Sequence, residues 1–275
     1  MNQPLSYVHP QARIADTVVI EPFVTIHKNV EIGEGTWIGS HVTIMEGARI
    51  GKNCKIFPGA VISAIPQDLK FKGEDSQTLI GDNVIIREFA TINRGTKANF
   101  QTSIGNNTLI MAYVHIAHDC IIGNNCILSN AVNLAGHINI DDWAIVGGLS
   151  AVHQFVSIGQ HSFVSGGSLV RKDVPPYTKA AREPLSYVGI NSVGLRRRGY
   201  STEKITEIQE IFRMLFVKGN NISQAISIIE ADLPATSERD EIISFIQNSK
   251  RGIMKGFSRN GSFKTRDITA SSLND

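Results

Sequence analysis

Residues 104–116 read Ile104-Gly105-Asn106-Asn107-Thr108-Leu109-Ile110-Met111-Ala112-Tyr113-Val114-His115-Ile116, with an aliphatic residue at every sixth place. Two residues before Ile110 stands Thr108, and two before Ile116 stands Val114. The phase runs outward in both directions. Upstream it passes through Val8, Ile14, Ile20, Ile26, Ile32, Ile38, Ile44, Ile50, Ile56 and Ile62, then Ile80, Ile86 and Ile92. Downstream it continues with Ile122, Leu128, Leu134, Ile140, Val146, Val152, Ile158, Val164 and Val170. Of 28 positions in this phase, 25 are Ile, Val or Leu; Asp68, Glu74 and Ala98 are the exceptions.

A period of six matches neither a continuous helix nor a long flat strand. It fits a chain that runs straight for a few residues, turns and repeats, with one large aliphatic and one small residue pointing into a prism. Glycine often follows the aliphatic, as at Gly33, Gly51, Gly105 and Gly123, and is expected where the turn crowds the backbone. Three hexads close one triangular coil, so residues i and i+18 lie one above the other. With coils spaced like strands, roughly nine of them give a prism on the order of 45 Å tall.

Composition agrees with this reading. The 37 isoleucines against 13 leucines favour strands, because Ile is β-branched and stiff. Hydrophobic residues at 42% and charged residues at 19% describe a globular chain. A formal charge of +2 is too small to imply nucleic acid by itself. Met1–Pro10 lacks a basic start followed by an apolar core, and no apolar run reaches the length of a membrane span, so a cytoplasmic location is expected. Cys54, Cys120 and Cys126 occupy the small inward position of the hexad, which predicts buried free thiols and not a metal or disulfide framework.

The expected organisation is a prism over residues 1–177, interrupted by loops at 64–78 and 93–102 that preserve the phase. Such loops are either tolerated surface insertions or ligand-contacting segments. Asp173-Val174-Pro175-Pro176-Tyr177 marks the end of the repeat. Helical spacing of Ile205, Ile208, Phe212 and Leu215, then Ile222, Ile226 and Ile229, then Ile242 and Ile246, predicts a small α-helical domain over 178–256. Ser237 with Asp240 reads as a capping box for the last helix, and 257–275 as a polar, frayed tail.

None of the eight histidines falls on an inward position. In 18-residue register His118 lies under Gly136, and Gly136 under Gln154; Asp119 lies under His137, and Ala135 under His153. His118, Asp119, His137 and His153 therefore share one edge over three coils, with His115 three residues away. Such a cluster suits a metal ion or acid–base chemistry near neutral pH. Arg196-Arg197-Arg198 reads either as a solvated charge run or as a site for an anionic group.

The hexads resemble those of left-handed parallel β-helix proteins, and the handedness comes from that resemblance alone. Several segments resemble the UDP-N-acetylglucosamine 3-O-acyltransferases that begin lipid A biosynthesis. These are His115-Ile116-Ala117-His118-Asp119-Cys120, Leu134-Ala135-Gly136-His137, Ala151-Val152-His153-Gln154-Phe155, Gln67-Asp68-Leu69-Lys70 and the Asp173–Tyr177 segment. Asn191 with Arg196–Gly199 completes the match, which spans about Tyr7 to Gly256.

The resemblance implies that His118 is a general base, Asp119 its partner and Gly136 the oxyanion donor. It implies sugar-nucleotide contacts at Asp68, Lys70, His115, His137 and Gln154, and contacts near uridine and diphosphate at Asn191, Arg197 and Arg198. His153 matches a further active-site histidine, and Gly166 an acyl-chain measuring position left open to a long chain. The family implies a homotrimer with active sites between subunits, acyl carrier protein as acyl donor, and no cofactor. Two positions depart from the family: Val193 replaces an acidic residue near the nucleotide, and Pro184 a histidine near the end of the acyl groove. Two other readings compete, a zinc enzyme resembling the γ-class carbonic anhydrases and a structural β-solenoid without chemistry.

Overall fold

The computed structural model describes residues 5–216 and 221–256. The expected tail, 257–275, lies outside the described residues. From Tyr7 the chain winds through short strands, mostly of two residues, which stack into three faces of nine, eight and eleven strands, parallel throughout the repeat. The first face carries Tyr7–Val8, Thr25–Ile26 and, further up, His115–Ile116 and Asn133–Leu134. Registers such as Ile116↔Leu134 and Ile122↔Ile140 are the 18-residue step of the repeat. Across the insertions the step lengthens by whole hexads: Ile62 pairs with Ile92, and Ile80 with Ile104.

The on-phase aliphatics fill the prism. Ile26, Ile38, Ile44, Ile56, Ile62, Ile86, Ile92, Ile110 and Ile116 are all fully buried. At about 25 cal/mol per Å² of apolar surface, each such side chain supplies roughly 1.5–3 kcal/mol on burial. The three cysteines are buried and free as expected. Burial pushes the thiols of Cys120 and Cys126 up to about 12, so they stay protonated.

The turns divide their demands between two positions. Where glycine follows the aliphatic it permits close approach: a Cβ on Gly105 would lie 2.6 Å from the Gly123 carbonyl carbon. The left-handed backbone falls two residues later, at Asn107, Tyr113, Asp119, Asn125, Ala131 and His137, with φ between 56° and 61°. Asparagine tolerates that region best among non-glycines. Tyr113 at this turn position is exposed, whereas Asp119 is buried.

Three expectations require correction. Residues 178–190, assigned from sequence to the helical domain, form strands: Thr178–Ala181 extends the third face and Ser186–Ile190 pairs antiparallel to it. The loops are shorter than 64–78 and 93–102, because strands Gln77–Ile80 and Gln101–Ile104 start early and pair with each other. Ser237 does not cap the last helix; the Thr236 side chain accepts from the Arg239 N–H. A capping box does occur one helix earlier, between Asn221 and Gln224.

Among the described residues the helices are α1 (Ser192–Arg197), α2 (Thr202–Phe216), α3 (Ile222–Asp232) and α4 (Ser237–Asn248). Ile205, Ile208, Phe212 and Leu215 of α2 pack against Ile226 and Ile229 of α3 and Ile242 of α4. The cluster rests on the prism through Tyr177 and Tyr187, the latter stacked on Phe212. No described helix is long and apolar enough to cross a membrane.

Candidate active site

His118 and Asp119 sit at the turn between the first and second faces, just after the strand His115–Ile116. Their imidazole and carboxylate are joined by a 2.8 Å bond from Nδ1 to Oδ2. A buried carboxylate without donors would favour its protonated form. Burial alone would raise Asp119, but hydrogen bonds from Thr96 and His118 outweigh it and hold the group below the usual aspartate range. Asp119 is therefore an anion, and the neutral His118 consistent with this network carries its proton on Nδ1.

Gly136 lies over the ring, as the register predicts. A Cβ there would stand 2.7 Å from His118 Cε1 and 2.9 Å from Nε2, so only glycine leaves the ring this position. Among the described residues, no acceptor meets the Gly136 N–H. His137 crosses His118 edge-on at 5.1 Å and stacks on Phe155 of the next coil at 4.7 Å. Burial lowers the affinity of His137 for a proton, against the pull of Asp119. His118, Asp119 and His137 present ligand-type atoms within 4.8 Å of one another.

The other predicted residues divide between two edges. Asp68 accepts from the Lys70 N–H at 2.9 Å in the first insertion, and its charge reaches His137. His115 faces outward beside Thr91, 2.8 Å away, and burial lowers its affinity for a proton. His153 and Gln154 are exposed one coil above Gly136, with His153 turned to the Gln154 carbonyl. Gly166 is exposed and Lys70 reaches solvent.

Asn191 and Arg198 lie elsewhere, at the edge between the second and third faces. Asn191 donates to the His161 carbonyl and caps α1, while Arg198 reaches His161 Nδ1 at 3.2 Å and lies over the Trp143 ring. Arg197, next to it, is exposed. His161 sits at a corner, off the inward positions as the hexad phase requires; Arg198 and Tyr200, flanking the turn after α1, cover that corner and leave it 7% exposed. Burial and the neighbouring Arg198 push His161 down to about 4. Val193 and Pro184, the two departures, are both exposed.

The sequence reading missed Thr96, Asn99 and Thr102, which all bond Asp119. Thr102 carried a signal, since it occupies a small inward position. Thr96 and Asn99 lie in an insertion, where the register assigns no partners.

A three-faced prism of hexads, a histidine–carboxylate pair at one edge and a helical domain on top define a hexapeptide-repeat transferase with the left-handed parallel β-helix fold. Residues 173–254 match the family described as UDP N-acetylglucosamine O-acyltransferase, domain 2, and residues 101–136 the bacterial transferase hexapeptide family. Residues 2–96 match a family described as the GMPPB C-terminal domain. The acyl-(acyl-carrier-protein)–UDP-N-acetylglucosamine O-acyltransferase of Thiobacillus denitrificans is 40% identical over 92% of this chain and 98% of its own. A UDP-N-acetylglucosamine acyltransferase structure from Bacteroides fragilis superposes with a TM-score of 0.91 at 50% identity, covering 93% of this chain and all of the other. One from Francisella novicida gives 0.91 at 44% identity over 100% of both chains. The chain belongs to the UDP-N-acetylglucosamine O-acyltransferase family and is an acyltransferase.

Proposed function

We propose that this enzyme transfers a 3-hydroxyacyl chain from acyl carrier protein to the 3-hydroxyl of UDP-N-acetylglucosamine, opening lipid A biosynthesis. The observation that carries this reading is the joint position of His118, Asp119 and Gly136. With Nδ1 committed to Asp119, the Nε2 lone pair of His118 takes the proton of the sugar hydroxyl as that oxygen attacks the thioester carbon directly. Asp119 stabilises the imidazolium, and the unpartnered Gly136 N–H faces the developing oxyanion. Collapse breaks the carbon–sulfur bond, and the departing thiolate recovers the proton from His118. Base assistance of this kind typically contributes about 10²–10⁴-fold.

Asp68, Lys70, His115, His137 and Gln154 are assigned to the sugar nucleotide on the His118 edge, with His153 beside them. Asn191, Arg197 and Arg198 are assigned to uridine and diphosphate. Because the second set occupies a different edge of the prism, one substrate touching both needs two chains, which supports a homotrimer with shared sites. Exposed Gly166 leaves an acyl groove open to a long chain. Three free thiols suit a reducing cytoplasm.

No cofactor is assigned. Four donors already fill the Asp119 oxygens: the Thr96 and Asn99 backbone N–H groups, the Thr96 hydroxyl and His118 Nδ1–H. A carboxylate accepts about that many, so a zinc ion at His118, Asp119 and His137 would have to displace them. A structural solenoid gains nothing from burying a carboxylate, which costs desolvation.

The test mixes purified protein with UDP-N-acetylglucosamine and 3-hydroxyacyl carrier proteins of several lengths, with and without chelator. Ester product is expected, insensitive to chelation and reduced at least about 10²-fold by His118→Ala. Absent product or an undiminished variant would overturn the reading, and loss on chelation would favour zinc.

A further inference from the structure

We propose that the second insertion is the positioning device of the catalytic pair and acts through Thr96, which holds Asp119 and thereby the His118 ring in the reacting geometry. The proposal rests on the general-base reading of His118.

Every polar group of Asp119 bonds to residues 96–102. Its N–H donates to Thr102 Oγ1 at 2.9 Å, and its carbonyl accepts from Asn99 Nδ2 at 3.4 Å. Oδ1 accepts the Thr96 and Asn99 backbone N–H groups at 3.0 and 3.2 Å. Oδ2 accepts the Thr96 hydroxyl at 2.6 Å, on the same oxygen that meets His118. Asp119 is held at φ 60°, the left-handed turn conformation that recurs along the prism, so its side chain leaves the edge towards the insertion that covers it.

A buried aspartate needs donors anywhere. What points to catalysis here is the shared oxygen. The Thr96 hydroxyl occupies one side of Oδ2 and leaves the other for the imidazole, so the ring's direction is set by Thr96 as much as by Asp119. The insertion is itself tied to the first one: the Ser76 hydroxyl donates to the Gly95 carbonyl at 2.5 Å, and the Arg94 N–H to the Ala64 carbonyl at 2.9 Å. That first loop carries Asp68, whose charge reaches His137. The charged and titratable groups around His118 are therefore Asp119, His137 and, beyond it, Asp68.

Kinetics of Thr96→Val and Thr96→Ser, measured over the full pH–rate profile beside His118→Ala, test the proposal. Thr96→Val should lower kcat about tenfold with little change in KM for the sugar nucleotide. Freed of one donor, Oδ2 holds the imidazolium more tightly, so the acid limb should move up by roughly half a pH unit. Thr96→Ser should restore both. A purely structural role would reduce the amount of active enzyme without moving the limb. An acid limb unmoved in Thr96→Val therefore overturns the proposal, whatever happens to kcat. Thr96→Ala keeps the backbone donor without the valine methyls and is read the same way if the valine variant folds poorly. If His118→Ala retains full activity, the general-base reading falls and the proposal with it. If it is inactive while the Thr96→Val limb is unmoved, only the proposal falls.

Discussion

The His118 imidazole occupies the space that a side chain at position 136 would fill. Gly136→Ala would set a Cβ 2.7 Å from the ring. The ring must swing away, breaking its alignment with Asp119 and with the Gly136 N–H proposed as oxyanion donor. We expect kcat to fall at least about 10²-fold, the scale of losing one oxyanion donor, with the melting temperature little changed. Wild-type turnover in this variant would show that neither group is used as described. Gly166 tests the acyl groove: a Cβ would approach the Gly148 carbonyl at 3.0 Å, tight enough to fix where a longer side chain points. Gly166→Met should move preference towards shorter acyl chains in a competition between carrier-bound donors, and an unchanged preference would remove Gly166 from the groove. At this scale the sequence was informative wherever the 18-residue register applied. It stacked Gly136 on His118 and His137 on Asp119, contacts that follow from coil spacing alone. Thr96 was illegible because an insertion leaves the register, and its partners depend on how the loop folds back.

Between elements, the joint of prism and helices is the main surprise. His161 lies between Trp143 and Tyr177, near-parallel rings at 6.2 and 5.7 Å, and contacts Arg198 and Tyr200. The hexad phase correctly keeps this histidine off the inward positions. Its burial comes from Arg198 and Tyr200, in the turn between α1 and α2, whose docking no periodicity encodes. A folded-state value of about 4, below the ordinary 6.5, has a definite consequence. Between those values the unfolded chain binds more protons than the folded one, so stability rises with pH in that window. The folded state should lose up to on the order of 3 kcal/mol as pH falls from about 6.5 through 4. Urea unfolding of the wild type against His161→Phe isolates this contribution. The phenylalanine variant should be less stable at neutral pH but flatter towards acid. Parallel curves would contradict the assignment. The cap of α4 failed for a similar reason: Thr236 and Ser237 are both good caps in sequence, and only the turn geometry selects the first.

For the molecule as a whole, nine coils of one repeat make a rigid post whose edges differ only in what the turns carry. One edge carries His118, Asp119 and His137; another carries Arg198 against Trp143 and His161. A substrate held by both, on one chain, would have to cross an entire face. The proposed sharing of sites between chains would bring the two edges together without distorting either. Composition and phase made the post legible, through isoleucines spaced by six, but said nothing of how posts assemble, because side chains facing a partner obey no repeat. Mixing two inactive variants measures the sharing directly. His118→Ala and the Arg197→Ala, Arg198→Ala double variant should each be nearly inactive alone. When co-expressed in equal amounts, random assembly gives about one site in four both intact halves, so roughly a quarter of wild-type acyl transfer should return. Activity no greater than the sum of the two variants would contradict a site built from the His118 edge of one chain and the arginine edge of another.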